Sequence, residues 1–132
     1  MKLLLDTDIC IYTINRREPG PLARLREFAL GDIGISAITY AELRFGVENS
    51  TQRVRNLDAL ERFVLPLEVM PFDAAAGRAY GEIRLQLERD GLPIGGNDLL
   101  IAAHAVSLDV TLVTNNIREF KRVNGLHVEQ WS

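Results

Sequence analysis

The chain has 132 residues and a formal net charge of −3, and hydrophobic side chains make up 47% of it. That length predicts a single globular domain over residues 1–132, with a core of its own. A slightly acidic chain lacks the basic footprint of a protein that binds nucleic acid indiscriminately, and no apolar run approaches the roughly 20 residues that span a bilayer.

Apolar periodicity and turn-forming residues predict strands that alternate with helices. In chain order we expect a strand over 2–5, helices over 9–14 and 21–30, a strand over 33–38, helices over 39–48 and 54–64, a strand over 67–71, a helix over 74–90 capped by Asp73, a helix over 98–107, a strand over 111–114, a short helix over 117–123 and an edge strand over 126–129. The alternation favours a mostly parallel central sheet between two layers of helices, a three-layer α/β domain.

The cellular compartment follows from two features near the start of the chain. The single cysteine, Cys10, cannot form an internal disulfide, which is typical of proteins from reducing compartments. The first apolar run meets Asp6 too early for a signal peptide. We therefore expect the cytoplasm and no association with membranes.

Polar side chains follow several of the predicted strands, at the point where each strand ends. In parallel sheets, ligands collect at the carboxyl ends of the strands, so these side chains are expected at one edge. The residues concerned are Asp6, Asp8, Ser36, Thr39, Glu42, Asn115, Asn116 and Glu119, together with Asn97 and Asp98 at the start of an apolar helix.

Local capping offers an alternative explanation for each of these residues taken singly. A side-chain oxygen at a helix start can bond the free backbone N–H groups there, and an acid in the first turn suits the helix dipole. The pairs that capping would explain are Thr39 with Glu42, Asn97 with Asp98, Asp6 with Asp8, and Asn116 with Glu119.

The acids as a group favour a metal site. Several carboxylates at one sheet edge repel each other unless they share a cation. Magnesium takes oxygen ligands, whereas two histidines and one cysteine do not supply a zinc site, and His104 is expected to pack within its apolar helix. A carboxylate site of this kind suits phosphodiester hydrolysis, because the metal activates water and stabilises charge on the phosphate.

Four segments, in order along the chain, resemble the motifs of PIN-domain nucleases. They are Leu-Leu-Leu-Asp-Thr-Asp-Ile at 3–9, Ile-Ser-Ala-Ile-Thr-Tyr-Ala-Glu-Leu-Arg-Phe-Gly at 35–46, Gly-Gly-Asn-Asp-Leu-Leu-Ile-Ala-Ala-His-Ala at 95–105 and Leu-Val-Thr-Asn-Asn-Ile-Arg-Glu-Phe at 112–120. The last segment, with Glu-Gln-Trp at 129–131, is similar to one branch of that family, the VapC ribonuclease toxins of bacterial toxin–antitoxin pairs.

The resemblance implies a PIN fold, dependence on Mg²⁺ or Mn²⁺, and cleavage of RNA. It also implies a cognate VapB-type antitoxin that inserts a segment near the active site, a homodimer, and a higher assembly with the antitoxin. Some members of this branch cut initiator tRNA in the anticodon stem-loop, so we expect tRNA as the substrate class here.

Matched by motif, Asp6 and Asp98 are the principal metal ligands, and Glu42 is either a ligand or a group that orients water. The fourth acidic position stays open between two residues. Many PIN domains have an aspartate after the last core strand, where this chain has Asn116 and, one helical turn later, Glu119. With one carboxylate fewer, we expect one firmly held metal ion.

Two other functions compete with the nuclease. Asp6 and Asp8 after a strand mimic the nucleophile motif of HAD-type phosphatases, but only sixteen residues follow Asn116, too few to carry the lysine and acidic pair of that class. The second alternative is a degenerate PIN domain that binds RNA or protein without catalysis. The three central acids are intact, which argues against degeneration.

Overall fold

The computed structural model describes residues 1–15, 21–29 and 31–131. Within these ranges the elements are, in chain order, β1 (Leu3–Leu5), α1 (Thr7–Asn15), α2 (Pro21–Leu25), β2 (Ile33–Ser36), α3 (Ala37–Glu48), α4 (Arg53–Val64), β3 (Glu68–Met70), α5 (Ala74–Asp90), α6 (Gly96–Leu108), β4 (Thr111–Val113), α7 (Ile117–Phe120) and β5 (Val128–Glu129).

The strands form one parallel sheet in the order β3-β2-β1-β4-β5. Strand β1 lies at its centre, with Leu3 opposite Ile33 of β2 on one side and Thr111 of β4 on the other. After β1 the chain adds β2 and β3 on one side of this strand, and later adds β4 and β5 on its other side. This reversal at β1 is a topological switch point, where ligands commonly bind. The predicted three-layer α/β fold is confirmed.

Alternation along β1 divides the core into two clusters, one on each face of the sheet. Leu4 packs with the helices α5 and α6 through residues such as Leu87 and Ile101. Leu3 and Leu5 face the other layer, which α1, α3 and α4 cover. All three leucines are buried because successive side chains of a strand point to opposite faces and both faces carry helices.

Several predicted boundaries were wrong by a few residues. The strand predicted over 33–38 ends at Ser36, because the Ser36 hydroxyl accepts a hydrogen bond from the Ile38 N–H at 3.0 Å and starts α3 two residues earlier than predicted. The helix predicted over 117–123 ends at Phe120, where Val123 N–H bonds the Phe120 carbonyl in a tighter turn.

The helix predicted over 21–30 is also shorter than expected. It ends at Leu25, and the following N–H groups of Glu27 and Phe28 bond carbonyls three residues back, at 3.1 and 3.3 Å. Leu30 itself lies outside the described residues. The long helix was predicted correctly, since Asp73 caps α5 by accepting from the Ala76 N–H and Gly91 ends it in a left-handed conformation.

Among the residues that the structure describes, no helix is both long enough and apolar enough to cross a bilayer.

Candidate active site

Asp6 follows β1 directly and is held at the N-cap of α1. One oxygen, Oδ1, accepts a hydrogen bond from the Ile9 N–H at 2.8 Å, and Oδ2 accepts one from the Thr114 hydroxyl just after β4. The capping explanation is therefore correct for Oδ1 of Asp6. Oδ2 instead bonds the Thr114 hydroxyl, on the other side of the switch point. Only 2% of Asp6 is exposed.

Burial raises the pKa of Asp6 from 3.8 to about 6. The hydrogen bonds from Thr114 and Ile9 lower this pKa, whereas the negative charges of Asp8 and Glu42 raise it further. The carboxyl group of Asp6 therefore lies near other acids, in surroundings that disfavour its charge.

Glu42 on α3 is oriented by neutral donors from two other helices. Its Oε1 accepts a hydrogen bond from the Thr7 hydroxyl at 2.6 Å, and its Oε2 accepts one from the Asn97 amide at 3.1 Å. The Thr39 hydroxyl lies 3.2 Å from that of Thr7, whose single hydrogen is already engaged, so Thr39 is the donor between them. The capping box of Thr39 and Glu42 is wrong, because Ser36 caps α3 and leaves Glu42 free to reach α1 and α6.

Asp98 lies in the first turn of α6, opposite Glu119. Gly95 occupies the N-cap, so neither Asn97 nor Asp98 caps this helix. Burial, the charge of Glu119 and a hydrogen bond between the two carboxyl groups raise the pKa of Asp98 to about 7, and the charges of Asp6 and Asp8 add to this. A hydrogen bond between two carboxyl groups needs a proton on one of them, which explains the direction of the shift.

Glu119 is held in place by two donors. Its Oε1 accepts from the Gly95 N–H at 2.9 Å, and its Oε2 accepts from the Asn116 amide. The side chain of Asn116 makes no capping bond to the backbone of α7. Asn116 thus bonds Glu119, and Glu119 contacts Asp98. Asn116 is therefore linked to Asp98 through Glu119.

The structure links four of the five predicted site residues in a chain of electrostatic interactions, in which Glu42 interacts with Asp6, Asp6 with Asp98, and Asp98 with Glu119. Asp8 interacts with both Asp6 and Asp98. Within residues 1–15, 21–29 and 31–131, no three acidic, histidine or cysteine side chains already form a compact ligand set. The acids lie around the switch point, with Asp98 and Glu119 hydrogen-bonded to each other. Their oxygen donors and mutual repulsion fit a hard divalent cation.

Sequence reasoning missed the donors that orient these acids. Thr7 and Thr114 are unremarkable as parts of apolar segments, and Asn97 has the position of a helix cap. Their position in the sequence could have revealed these donors, because Thr7 and Thr114 lie at the carboxyl ends of β1 and β4, where the acids also lie. Neutral donors at such positions hold a carboxylate without neutralising its charge.

His104 joins α6 to the start of α3. Its Nδ1 lies 2.7 Å from the Ser36 Oγ, and its ring packs edge-on against Phe72 with centroids 5.4 Å apart. Burial lowers the pKa of His104, so the ring is neutral in this position. The prediction that His104 packs within its helix is confirmed, because the side chain is buried.

A cleft of about 500 Å³ opens beside the acids between α1 and α3. Thr7, Asp8 and Ile11 form the α1 wall, Glu42 and neighbours on its helical face form the α3 wall, and Asn97 of α6 contributes at the end. An extended polymer could therefore pass along Asp8 and Glu42, the two acids that line this open cleft.

Comparisons with known proteins agree on one family. Residues 3–126 match the PIN domain family. The chain is 46% identical to "Ribonuclease VapC2" of Rickettsia felis, covering 99% of this chain and 98% of that protein. It is 44% identical to "tRNA(fMet)-specific endonuclease VapC" of Shigella flexneri, covering 100% and 99%. Among solved structures, VapBC2 from Rickettsia felis bound to a promoter DNA fragment superposes with a TM-score of 0.95 at 44% identity over 100% of both chains.

Proposed function

The chain belongs to the PIN-domain family, within its VapC ribonuclease group, and we propose that it cleaves tRNA with one divalent cation held by Asp6 and Asp98, with Glu42 as a third ligand or as the group that orients water. It is an endoribonuclease toxin of the type that a VapB antitoxin antagonises. The observation that carries the metal assignment is that Asp6 and Asp98 lie at one switch point, close enough for the charge of Asp6 to raise the pKa of Asp98. Burial is the largest cause of the rise in the pKa of both groups, to about 6 for Asp6 and about 7 for Asp98.

The donor set fits Mg²⁺ and, with the same oxygen ligands, Mn²⁺. Such a cation lowers the pKa of a bound water and stabilises negative charge on the scissile phosphate. A bound cation would stabilise the charged forms of Asp6 and Asp98 most, because its positive charge offsets the cost of their burial and the repulsion between the acids. Asp6 holds its position through hydrogen bonds from Thr114 and Ile9, and each of its oxygens keeps a further lone pair for a metal ion.

Glu42 serves to orient the attacking water or as a third ligand. Thr7 and Asn97 each fix one of its oxygens, so the carboxylate keeps one orientation and retains lone pairs for water. Glu119 supplies the fourth acid, because it contacts Asp98 and carries charge, and Asn116 positions Glu119 through its amide.

The substrate class follows the Shigella flexneri relative, whose name specifies tRNA(fMet), and initiator tRNA is therefore the RNA to test first. The partner follows the VapBC complex of Rickettsia felis, so a cognate VapB-type antitoxin is expected to bind near the cleft. The PIN domain comprises residues 1–132, the functional unit is a homodimer that forms a higher assembly with the antitoxin, and the compartment is the cytoplasm, where tRNA resides.

The test compares cleavage of purified initiator tRNA and of total RNA by the wild-type chain and by Asp98→Asn. Wild type should cut in Mg²⁺ and not in EDTA, and Asp98→Asn should be slower by at least about 10²-fold. Asp58→Asn is the matched control, since Asp58 is an exposed acid paired with Arg62 on α4. Its cleavage rate should equal that of wild type.

Two outcomes contradict this assignment in different ways. Equal cleavage by Asp98→Asn and wild type would show that the metal site lies elsewhere. Binding of RNA without cleavage by wild type, in Mg²⁺ and in Mn²⁺, would instead favour the binding module without catalysis. Cleavage of other RNAs in preference to initiator tRNA would overturn only the substrate.

A further inference from the structure

Phe45 is a large aromatic side chain exposed beside the acids. It lies on α3 with 70% of its surface accessible to solvent, and it lines the same cleft as Asp8, Glu42 and Asn97. An exposed phenyl ring does not contribute to the core. Its contact with water is unfavourable, and the ring has no polar group whose hydrogen bonds could offset this cost. Its position in a cleft lined by Asp8 and Glu42 therefore points to a ligand that covers the ring.

The helical spacing places Phe45 next to Glu42. Ile38, Ala41, Glu42 and Phe45 recur at intervals of three and four residues, so they share one face of α3, and all of them line the cleft. Glu42 and Phe45 are three positions apart, which is about 4.5 Å along the helix axis. On the opposite wall, Ile11 of α1 is 44% exposed. The cleft thus combines two acids, Asp8 and Glu42, with an exposed apolar side chain on each wall.

We propose that Phe45 is a stacking platform for an unstacked nucleobase of the RNA, next to the phosphate that the acids cleave. This inference rests on the proposed ribonuclease function. Proteins recognise single-stranded loops by splaying bases out and stacking them on aromatic rings, and such stacking tolerates every base because each has a π-face. A phosphate at the acids leaves its neighbouring base within reach of a ring one helical turn away.

The surroundings of Phe45 favour a nucleobase over a protein surface. Its chain neighbour Arg44 is charged and pairs with Glu48 at 3.4 Å, so the apolar surface does not continue along that side of α3. Glu42 and Asp8 bound the ring within the cleft. Phe45 supplies an aromatic ring to a cleft whose other apolar lining residues, Ile11, Ile38 and Ala41, are aliphatic. A stable protein interface needs a broader apolar centre, whereas one flat ring beside two acids matches the area of one base.

The test uses a series of RNA stem-loops that wild type cleaves, each with one abasic nucleotide near the cut. For intact RNA, Phe45→Ala should lower kcat/KM by about 5-fold to 100-fold, and Phe45→Tyr and Phe45→Trp should restore it. At one nucleotide position, the abasic RNA should be cut more slowly by wild type, and Phe45→Ala should add no further loss there. Leu65→Ala is the matched control, because Leu65 is 85% exposed and lies outside the cleft.

The outcomes separate this inference from the function on which it rests. If wild type cuts the RNA, Asp98→Asn does not, and Phe45→Ala equals wild type at every abasic position, the platform is refuted while the nuclease stands. The platform is likewise refuted if Phe45→Ala weakens only antitoxin binding, which assigns the ring to a protein partner. If wild type cuts no RNA, the platform is tested by equilibrium binding of the abasic RNA series to Asp98→Asn protein, with and without the additional change Phe45→Ala. The platform is supported if one abasic position weakens binding when Phe45 is present and has no effect when it is replaced, and it is refuted if no position does so.

Discussion

The two halves of the acid cluster are held in different ways. On the α3 side, each oxygen of Glu42 accepts a hydrogen bond from a neutral donor, Thr7 or Asn97. On the α6 side, Asp98 faces another acid, Glu119, and the pKa of Asp98 rises to about 7. One carboxylate is thus satisfied without a cation, and the other is left in a repulsive pair.

This difference shows where a cation changes the site most. A carboxylate with neutral donors keeps its orientation whether or not a metal ion is bound, because its charge is already solvated by the protein. A pair of acids that share a proton must lose it before both can bind metal. We therefore expect Asp98 in the α6 half to bind the cation, and Glu42 in the α3 half to orient the attacking water.

The largest effect expected is on catalysis by Asp98→Asn. Loss of a charged ligand should lower kcat/KM by about 10³-fold, whereas Glu42→Gln keeps an oxygen for Thr7 and should lower it by about 10²-fold. The measurement is initial cleavage rates at a series of Mg²⁺ concentrations. Excess Mg²⁺ should rescue neither variant fully. Equal losses in the two variants would remove the distinction between the halves.

The next effect concerns the stability of the metal-free protein as a function of pH. The folded pKa values of Asp6 and Asp98, about 6 and about 7, lie above the usual 3.8, so the folded state binds more protons than the unfolded state between these values. Stability should therefore rise as the pH falls from 7.5 to 5.5 in EDTA, with Tm increasing by about 5 °C. Thermal unfolding monitored by circular dichroism measures this.

Magnesium should change that dependence, because it binds the deprotonated acids. With saturating Mg²⁺ the gain on acidification should disappear. Asp98→Asn should show a smaller pH dependence than wild type in EDTA, since one of the two shifted groups is gone. A Tm that falls on acidification in EDTA would show that the acids are satisfied without metal, and the contrast between the α3 and α6 halves would be lost.

Glu119→Gln should weaken Mg²⁺ binding by about 10-fold, which is the usual loss for a group that supports a metal ligand. The variant keeps an oxygen for the Gly95 N–H but removes the charge next to Asp98. At saturating Mg²⁺ the rate should approach that of wild type. Asn116→Ala, which removes only a donor to Glu119, should have the weaker effect on the Mg²⁺ requirement. The reverse order would assign the fourth position to Asn116.

The smallest effect is expected from Thr7→Val, which keeps the shape of the side chain and removes the hydrogen bond to Glu42. The rate should fall by about 5-fold at unchanged Mg²⁺ affinity, the equivalent of one ordinary hydrogen bond. Thr7→Ser restores the hydroxyl and should recover the rate. A change in Mg²⁺ affinity instead of rate would place Glu42 among the ligands and not among the orienting groups.

The sequence predicted the sheet, the helices and the edge at which the acids meet, because periodicity and strand-helix alternation are local properties. It did not predict which acids act as caps. Asp6 both caps α1 and accepts from Thr114, whereas Thr39 and Glu42 have the spacing of a capping box and do not form one. Ser36 takes the cap three residues earlier, and the partners of Glu42 lie 35 and 55 positions away in the chain. Such contacts between distant residues leave no trace in local spacing.

The central position of β1 determines when the site can assemble during synthesis. Strand β1 pairs with β4, and the Asp6 carboxylate receives the Thr114 hydroxyl, so residues 108 positions apart must meet before the acids are in place. At roughly 5–20 residues per second, a ribosome needs at least about 5 s to translate that interval. During this time the nascent chain has Asp6 but lacks Thr114, the donor to its second oxygen. The active site of this nuclease is therefore assembled only near the end of its own translation.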